Sequence, residues 1–185
     1  MPLAALSRPP TLDEQQFRAA AGSFATGVAV MTTRDVQGAP HGITCNSFAS
    51  LSLDPPLILW SIRRQARAAT IYAEAEFFAV NVLAADQQAL SKRFSSPLDD
   101  RFAGVACEKG LHGVPLLAGC VTWMECRIHD RRPGGDHLIL IAAPLRVTCF
   151  DRLPLIFWRG KYFDRDVLEA GRSLGTDAPD MMFWA

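Results

Sequence analysis

The sequence predicts a mainly β protein with flanking helices, a small barrel of about six to seven antiparallel strands with the helices packed outside it. Three observations carry that expectation. Apolar runs of strand length, rich in β-branched residues, recur at 28–33, 57–62, 77–83, 120–130 and 137–150. Turn signals separate them: Gln37-Gly38, Asp54-Pro55-Pro56 and Pro133-Gly134-Gly135-Asp136. The helical patterns do not alternate regularly with the strands, which argues against a doubly wound sheet and for a closed barrel.

Taken in order, residues 1–10 hold three prolines and are expected to form a loose lead-in to a single domain over 11–165. Thr11-Leu-Asp-Glu14 reads as a capping box opening a helix. Its apolar side runs through Phe17, Ala20, Ala21 and Phe24, and Gly27 ends it. Val28 to Thr33 is a strand, and the chain returns as a hairpin strand from Gly42 to Ser50. Leu57 to Ile62 is the next strand, with a short helix from about 66 to 75 after it. Phe77 to Leu83 is a strand and Ala84 to Phe94 a helix. Residues 95–119, rich in Gly, Pro and charge, are the least regular stretch. From Cys120 to Asp130 the chain alternates, with Cys120, Thr122, Met124, Cys126 and Ile128 on one face and Trp123, Glu125 and Arg127 on the other. His137 to Phe150 returns as a long strand, and Leu155 to Trp158 adds a last one. Residues 166–185 form a tail whose apolar end, Met181-Met-Phe-Trp184, is expected to pack on its own barrel.

Length and composition narrow the class. The 185 residues suffice for one domain with a sizeable core, and 49% hydrophobic with 21% charged residues is ordinary for a globular protein. Lysine plus arginine equals aspartate plus glutamate, 19 each, so the basic excess of a nucleic-acid binder is missing. The five cysteines are odd in number and scattered without a C-x-x-C pair, which predicts buried, reduced thiols rather than disulfides or a zinc site. Met1 to Pro10 lacks a signal-peptide pattern, and no apolar run reaches the length of a membrane span. A soluble, cytoplasmic protein with no membrane or nucleic-acid partner is expected. There is no G-x-G-x-x-G, P-loop, G-x-S-x-G or H-E-x-x-H, and His129 with His137 lacks a third metal ligand, so no metal is expected.

Three stretches could carry chemistry. Pro40-His-Gly-Ile-Thr-Cys-Asn-Ser47 sets Thr44, Asn46 and Ser47 after Gly42, where a ligand could approach the backbone. Ser61-Ile-Arg-Arg-Gln-Ala-Arg67 follows a strand and opens a helix, a plausible phosphate cradle that Arg93 could reach. Arg131-Arg-Pro-Gly-Gly-Asp-His137 places a histidine at the start of a strand. Taken singly, each is more often ordinary: a polar edge strand, a solvated basic face, a polar hairpin tip.

Together, in order, these stretches resemble the short-chain flavin reductase family, whose members share an FMN-binding split barrel. The resemblance runs from about Phe17 to Tyr162. It includes Ser23-Phe-Ala-Thr-Gly-Val28, Thr44 through Pro56, Phe78-Ala-Val-Asn-Val-Leu83, Lys92-Arg-Phe94, Gly135-Asp-His137 and Pro154 through Tyr162. It implies that Pro40, His41, Gly42, Ile43, Thr44, Asn46 and Ser47 line a flavin ring. Ser61, Ile62 and Arg63 would follow its ribityl chain. Arg67 and Ala68, with Arg93 and Phe94, would surround the phosphate end. His137 would meet NADH or NADPH, with Tyr162 closing that side.

The resemblance further implies FMN or FAD as the flavin, a homodimer, and a separate oxygenase that receives reduced flavin. No side chain need be catalytic, because hydride passes between the two bound rings. Three other readings remain open: a flavin-binding electron carrier, a non-enzymatic interaction module, and a reductase of another acceptor such as a corrinoid or iron chelate.

Overall fold

The computed structural model describes residues 12–163. The expected lead-in, Thr11 of the capping box and the tail from 166 lie outside the described residues. Helix α1 (Glu14–Ala21) starts at Asp13, whose side chain makes no capping hydrogen bond. Then come β1 (Thr26–Gly27), β2 (Ala29–Arg34), β3 (Pro40–Cys45), β4 (Ala49–Leu53), β5 (Pro56–Arg63), α2 (Ala69–Glu74) and β6 (Phe77–Val82). After α3 (Gln88–Ser95) follow β7 (Cys107–Lys109), β8 (Pro115–Leu117), β9 (Thr122–Gly134), β10 (His137–Cys149), β11 (Ile156–Trp158) and β12 (Lys161–Tyr162).

Seven strands form one antiparallel sheet in the order β3-β2-β6-β9-β10-β5-β4. The sheet curls so that residues from β2, β5, β6, β9 and β10, with α2, share one interior core around Trp60, Tyr72 and Phe78. The closed barrel expected from the strand pattern is corrected here. The two edge strands, β3 and β4, are not paired with each other, so the sheet is a split barrel. The expected single strand from Gly42 to Ser50 divides for the same reason. Residues 40–45 pair with β2 and residues 49–53 with β5, and the chain crosses between edges at 46–48.

A second core lies on the opposite face of β2, β6 and β9, where α3 and β8 cover Val30, Ala79 and Trp123. Both faces of β2 and β6 are therefore buried, and their sequences read as nearly continuous apolar runs rather than alternations. The polar exceptions are Thr32 and Thr33 of β2 and, at the centre of a hydrogen-bond network, Asn81 of β6. Fully buried, it donates to the Val30 carbonyl at 3.0 Å and to Thr32 Oγ1 at 2.9 Å, and accepts from Leu117 N–H at 2.7 Å. It thereby ties β8 to the sheet.

Two expectations fail at the surface. Phe17 and Phe24 are exposed, and α1 buries no residue within this chain. Cys107 and Cys149 are exposed rather than buried, although all five thiols are free as expected. Burial pushes the thiols of Cys45, Cys120 and Cys126 up to about 12, so they stay protonated at neutral pH. No helix among the described residues is long and apolar enough to cross a membrane.

Because the Asn81 carboxamide makes three buried hydrogen bonds, the near-isosteric Asn81→Leu should cost about 3 kcal/mol by removing them. Urea unfolding of the two proteins would measure it, and a loss under 1 kcal/mol would contradict the role given to this network.

Candidate functional site

The site follows from the crossing at 46–48. β3 is an edge strand, so alternate residues turn their N–H and C=O groups away from β2 toward the split. Gly42 is one of these, since its carbonyl accepts Nη1 of Arg101 at 2.9 Å. By the two-residue period, the backbone of Thr44 faces the same free edge. Ser47 locks the crossing. Its hydroxyl donates to the Ser61 carbonyl at 3.0 Å and accepts the Ser61 N–H at 3.1 Å.

Two cavities meet at this segment, and a third lies beside the start of β3. One of about 270 Å³ is bounded by Ile43 to Ser47, by Trp60 to Arg63 of β5, by Ala66 and by His137. A second, of about 260 Å³, lies across the crossing and shares Thr44, Cys45 and Asn46, with Ser91, Phe157 and Tyr162 on its far wall. The third, of about 220 Å³, lies between Pro40-His-Gly42, Arg67 and Ala68 beside α2, and residues 98–102.

The structure brings Ile43, Thr44, Asn46, Ser47, Ser61, Ile62, Arg63 and His137 to one cavity, and Pro40, His41, Gly42, Arg67 and Ala68 to another. Tyr162 and His137 do not share a wall, although both cavities include Thr44 and Asn46. Several of these side chains are already engaged. Thr44 donates its hydroxyl to the Ser91 carbonyl at 2.7 Å, and Ser91 Oγ pairs with Tyr162 Oη at 2.9 Å. Exposed Asn46 makes no side-chain hydrogen bond among the described residues, unlike Thr44 and Ser47. His41 pairs with Asp35 at 2.8 Å and so braces the β2–β3 turn.

Arg93 and Phe94 line none of these cavities. Arg93 donates from Nε to the Arg101 carbonyl and from Nη2 to the Ala103 carbonyl, each at 2.6 Å, which fastens the 98–103 loop. Phe94 is fully buried and meets Phe102 edge-on at 5.0 Å. That packing also explains Gly42. A Cβ there would lie 2.5 Å from Phe94 Cε1, so glycine is required by the ring behind the strand rather than by a ligand in front of it.

The hairpin tip is built as the turn chemistry demands. His137 pairs with Gly134, leaving a two-residue loop whose first member, Gly135, has φ +64°. The register places His137 opposite Arg63 of β5. His137 Nδ1 meets Asp136 Oδ1 at 2.7 Å, and this bond holds the Asp136 carboxyl below the usual carboxylate range. The pair is accordingly fixed in orientation while the carboxylate is ionised. That fixing would be lost only as acid protonates Asp136 below its ordinary value.

Two groups escaped the sequence reading. Trp60 is fully buried, lines the first cavity and leaves its Nε1–H without a partner. Arg101 lines the third cavity with its Nε likewise unpartnered. Both lie in stretches read only as an apolar strand and an irregular loop. A burial pattern was available for Trp60, but no local signal marked Arg101. An apolar slot with unpaired donors and a free strand edge suits a planar heterocycle carrying carbonyl and ring-nitrogen acceptors. Among the described residues no cluster of three or more His, Cys, Asp or Glu could hold a metal ion.

Comparisons with known proteins identify the family. A family model described as flavin reductase like domain matches residues 21–165. The chain is 40% identical over 164 residues to the stachydrine N-demethylase reductase subunit of Rhizobium meliloti, covering 87% of this chain and 70% of that protein. It is 41% identical over 150 residues to an NADH-dependent FMN reductase of Agrobacterium fabrum, covering 81% and 85%. The solved NADH:FAD oxidoreductase of Streptomyces globisporus superposes with a TM-score of 0.76 at 35% identity, over 86% of this chain and 94% of that one. The chain spans about half the length of two further curated relatives, at 49% and 48%.

If Gly42 is set by Phe94, then Gly42→Ala should push that ring and the 98–102 loop outward and cost about 1–3 kcal/mol. Thermal melting would register the loss. A variant as stable as the parent would show that the space behind Gly42 is not closed.

Proposed function

The chain belongs to the flavin reductase like family, and we propose that it is an NAD(P)H-dependent flavin reductase acting on FMN, with FAD as the alternative, and supplying reduced flavin to a separate oxygenase. The observation that carries this reading is the first cavity, where a free strand edge at Thr44 and an unengaged Asn46 face His137 and Arg63 across the split. The chemistry supplied by the bound groups is transfer of hydride from C4 of the nicotinamide to N5 of the flavin.

The chain's own residues bind and orient. The backbone at Thr44 and the Asn46 carboxamide offer hydrogen bonds to the pyrimidine end, where negative charge gathers on reduction. Trp60 and Ile62 wall off water behind the slot. Asp136 fixes the His137 ring, so that His137 and Arg63 hold the nicotinamide nucleotide in register. No nucleophile is needed, which accords with thiols held protonated at Cys45 and Cys126.

We take the working unit to be a homodimer of the 11–165 domain in the cytoplasm. Support comes from β4, exposed along its length with Leu51 and Leu53 on its surface, and from the uncovered phenylalanines of α1. The exposed free thiols of Cys107 and Cys149 suit a reducing compartment. The names of several relatives, such as the reductase component of a trigonelline monooxygenase from Acinetobacter baylyi, support an oxygenase as partner.

Purified protein should oxidise NADH or NADPH only when riboflavin, FMN or FAD is added, and consumption unaltered by all three flavins would contradict the proposal. His137→Ala should raise KM for the nicotinamide nucleotide on the order of tenfold while leaving flavin affinity within about twofold. Unchanged nicotinamide kinetics in that variant would remove His137 from the site.

A further inference from the structure

The β11–β12 hairpin and the segment after α1 form one surface that is both aromatic and cationic. Phe24, just past the end of α1, is 78% exposed. The backbone beside it is tied to the hairpin. Trp158 Nε1 donates to the Ser23 carbonyl at 2.8 Å, and the Arg159 N–H donates to the Gly22 carbonyl at 3.0 Å. Phe163, the last described residue, sets its ring 5.7 Å from that of Trp158. The Arg159 guanidinium lies over the same indole at 4.6 Å, and exposed Lys161 follows two residues later. Arg159 holds that place with φ +47°, in a two-residue turn whose geometry favours Asn or Gly. Among the described residues neither cation makes an ion pair, whereas Arg18, Arg127, Arg146 and Arg152 all do.

Residues 164–185 have the complementary chemistry. They carry five acidic side chains and two arginines, which leaves 17 basic and 14 acidic residues in the rest of the neutral chain. Asp177-Ala-Pro-Asp180 holds no base, and the large apolar residues Met181-Met-Phe-Trp184 follow it at once. Methionine and aromatic side chains pack favourably on exposed rings. Seventeen residues, 164–180, separate Phe163 from Met181, and a coil of that length spans on the order of 20 Å. The surface begins at Phe163, well inside that reach. Tethering at such a length gives a local concentration in about the millimolar range. A second copy lacks that advantage. A two-fold pairing of this surface would also set Arg159 and Lys161 against their own images.

We propose that Met181–Trp184 of the chain's own tail dock on Phe24, Trp158 and Phe163, with Asp177 and Asp180 set against Arg159 and Lys161. Burial of the apolar side chains supplies most of the affinity, because exposed ion pairs add little. The charges fix the direction of the docked segment. The hairpin so covered carries Tyr162, whose hydroxyl pairs with Ser91 Oγ at 2.9 Å, and the Ser91 carbonyl accepts from Thr44 at 2.7 Å. The tail thereby steadies one wall of the second cavity from outside.

Amide hydrogen exchange on the full-length protein, without flavin or nucleotide, tests this contact separately from the reductase reading. Phe183→Ser combined with Trp184→Ser should speed exchange in residues 22–24 and 156–163 about three- to tenfold, with β6 and β9 unchanged. Asp177→Lys with Asp180→Lys should speed it about two- to fivefold at low salt, and Arg159→Glu with Lys161→Glu by a similar factor. All four charge reversals in one chain should restore exchange to within about twofold of the parent. Light scattering gives the mass of each protein at the same concentration. Unaltered exchange after the Phe183 and Trp184 substitutions would overturn the proposal, and so would charge reversals that fail to rescue one another. Faster exchange accompanied by a halved mass would assign the surface to a second copy and overturn it as well.

Discussion

The site depends on one short crossing of the chain. At residues 46–48 the backbone leaves one edge of the curled sheet and joins the other, so two strands adjacent in sequence end as opposite, unpaired edges. An unpaired edge in the interior of a fold would be unfavourable without partners for its N–H and C=O groups. Here those groups face a cavity instead. The hydroxyl of Ser47 on the Ser61 backbone and that of Thr44 on Ser91 keep the split at a fixed width. Closing the barrel by pairing β3 with β4 would satisfy the edge and abolish the slot.

Around that opening, labour divides between residues that could touch a ligand and residues that hold them. Gly42 lets Phe94 press against the back of β3, Phe94 carries Phe102, and Arg93 pins the backbone on both sides of Phe102. The result presents Arg101 to the cavity and the Gly42 carbonyl to Arg101. On the opposite wall the β9–β10 turn sets Asp136 and His137 beside Arg63. Polar side chains near the slot thus work mainly as fasteners, and backbone, Asn46, His137 and arginine are left to meet a bound molecule.

Much of this was legible in the sequence where local chemistry decides structure. The strands at 57–62, 77–83 and 137–150, the Gly-Gly hairpin and the placement of His137 at its tip follow from β-branched runs and turn residues. The alternation of β9 was also legible, but not that Glu125 on its polar face would be buried, because its partners Arg146 and the Leu111 N–H come from distant segments. The split itself was not visible from periodicity. After Gly42 no glycine or proline marks a break before Ser50, and only the pairing partners reveal two strands. Arg93 looked like a phosphate ligand because the family resemblance placed it, with Arg67, at the phosphate end. What redirects it is the 98–103 loop, whose path no local signal announces.

The account stands or falls on what occupies the split. The most direct measurement is a crystal structure of the full chain soaked with FMN. The ring should lie between residues 44–47, the end of β5 and His137. A ligand bound elsewhere, or a split filled by side chains with no ligand in it, would contradict the central claim.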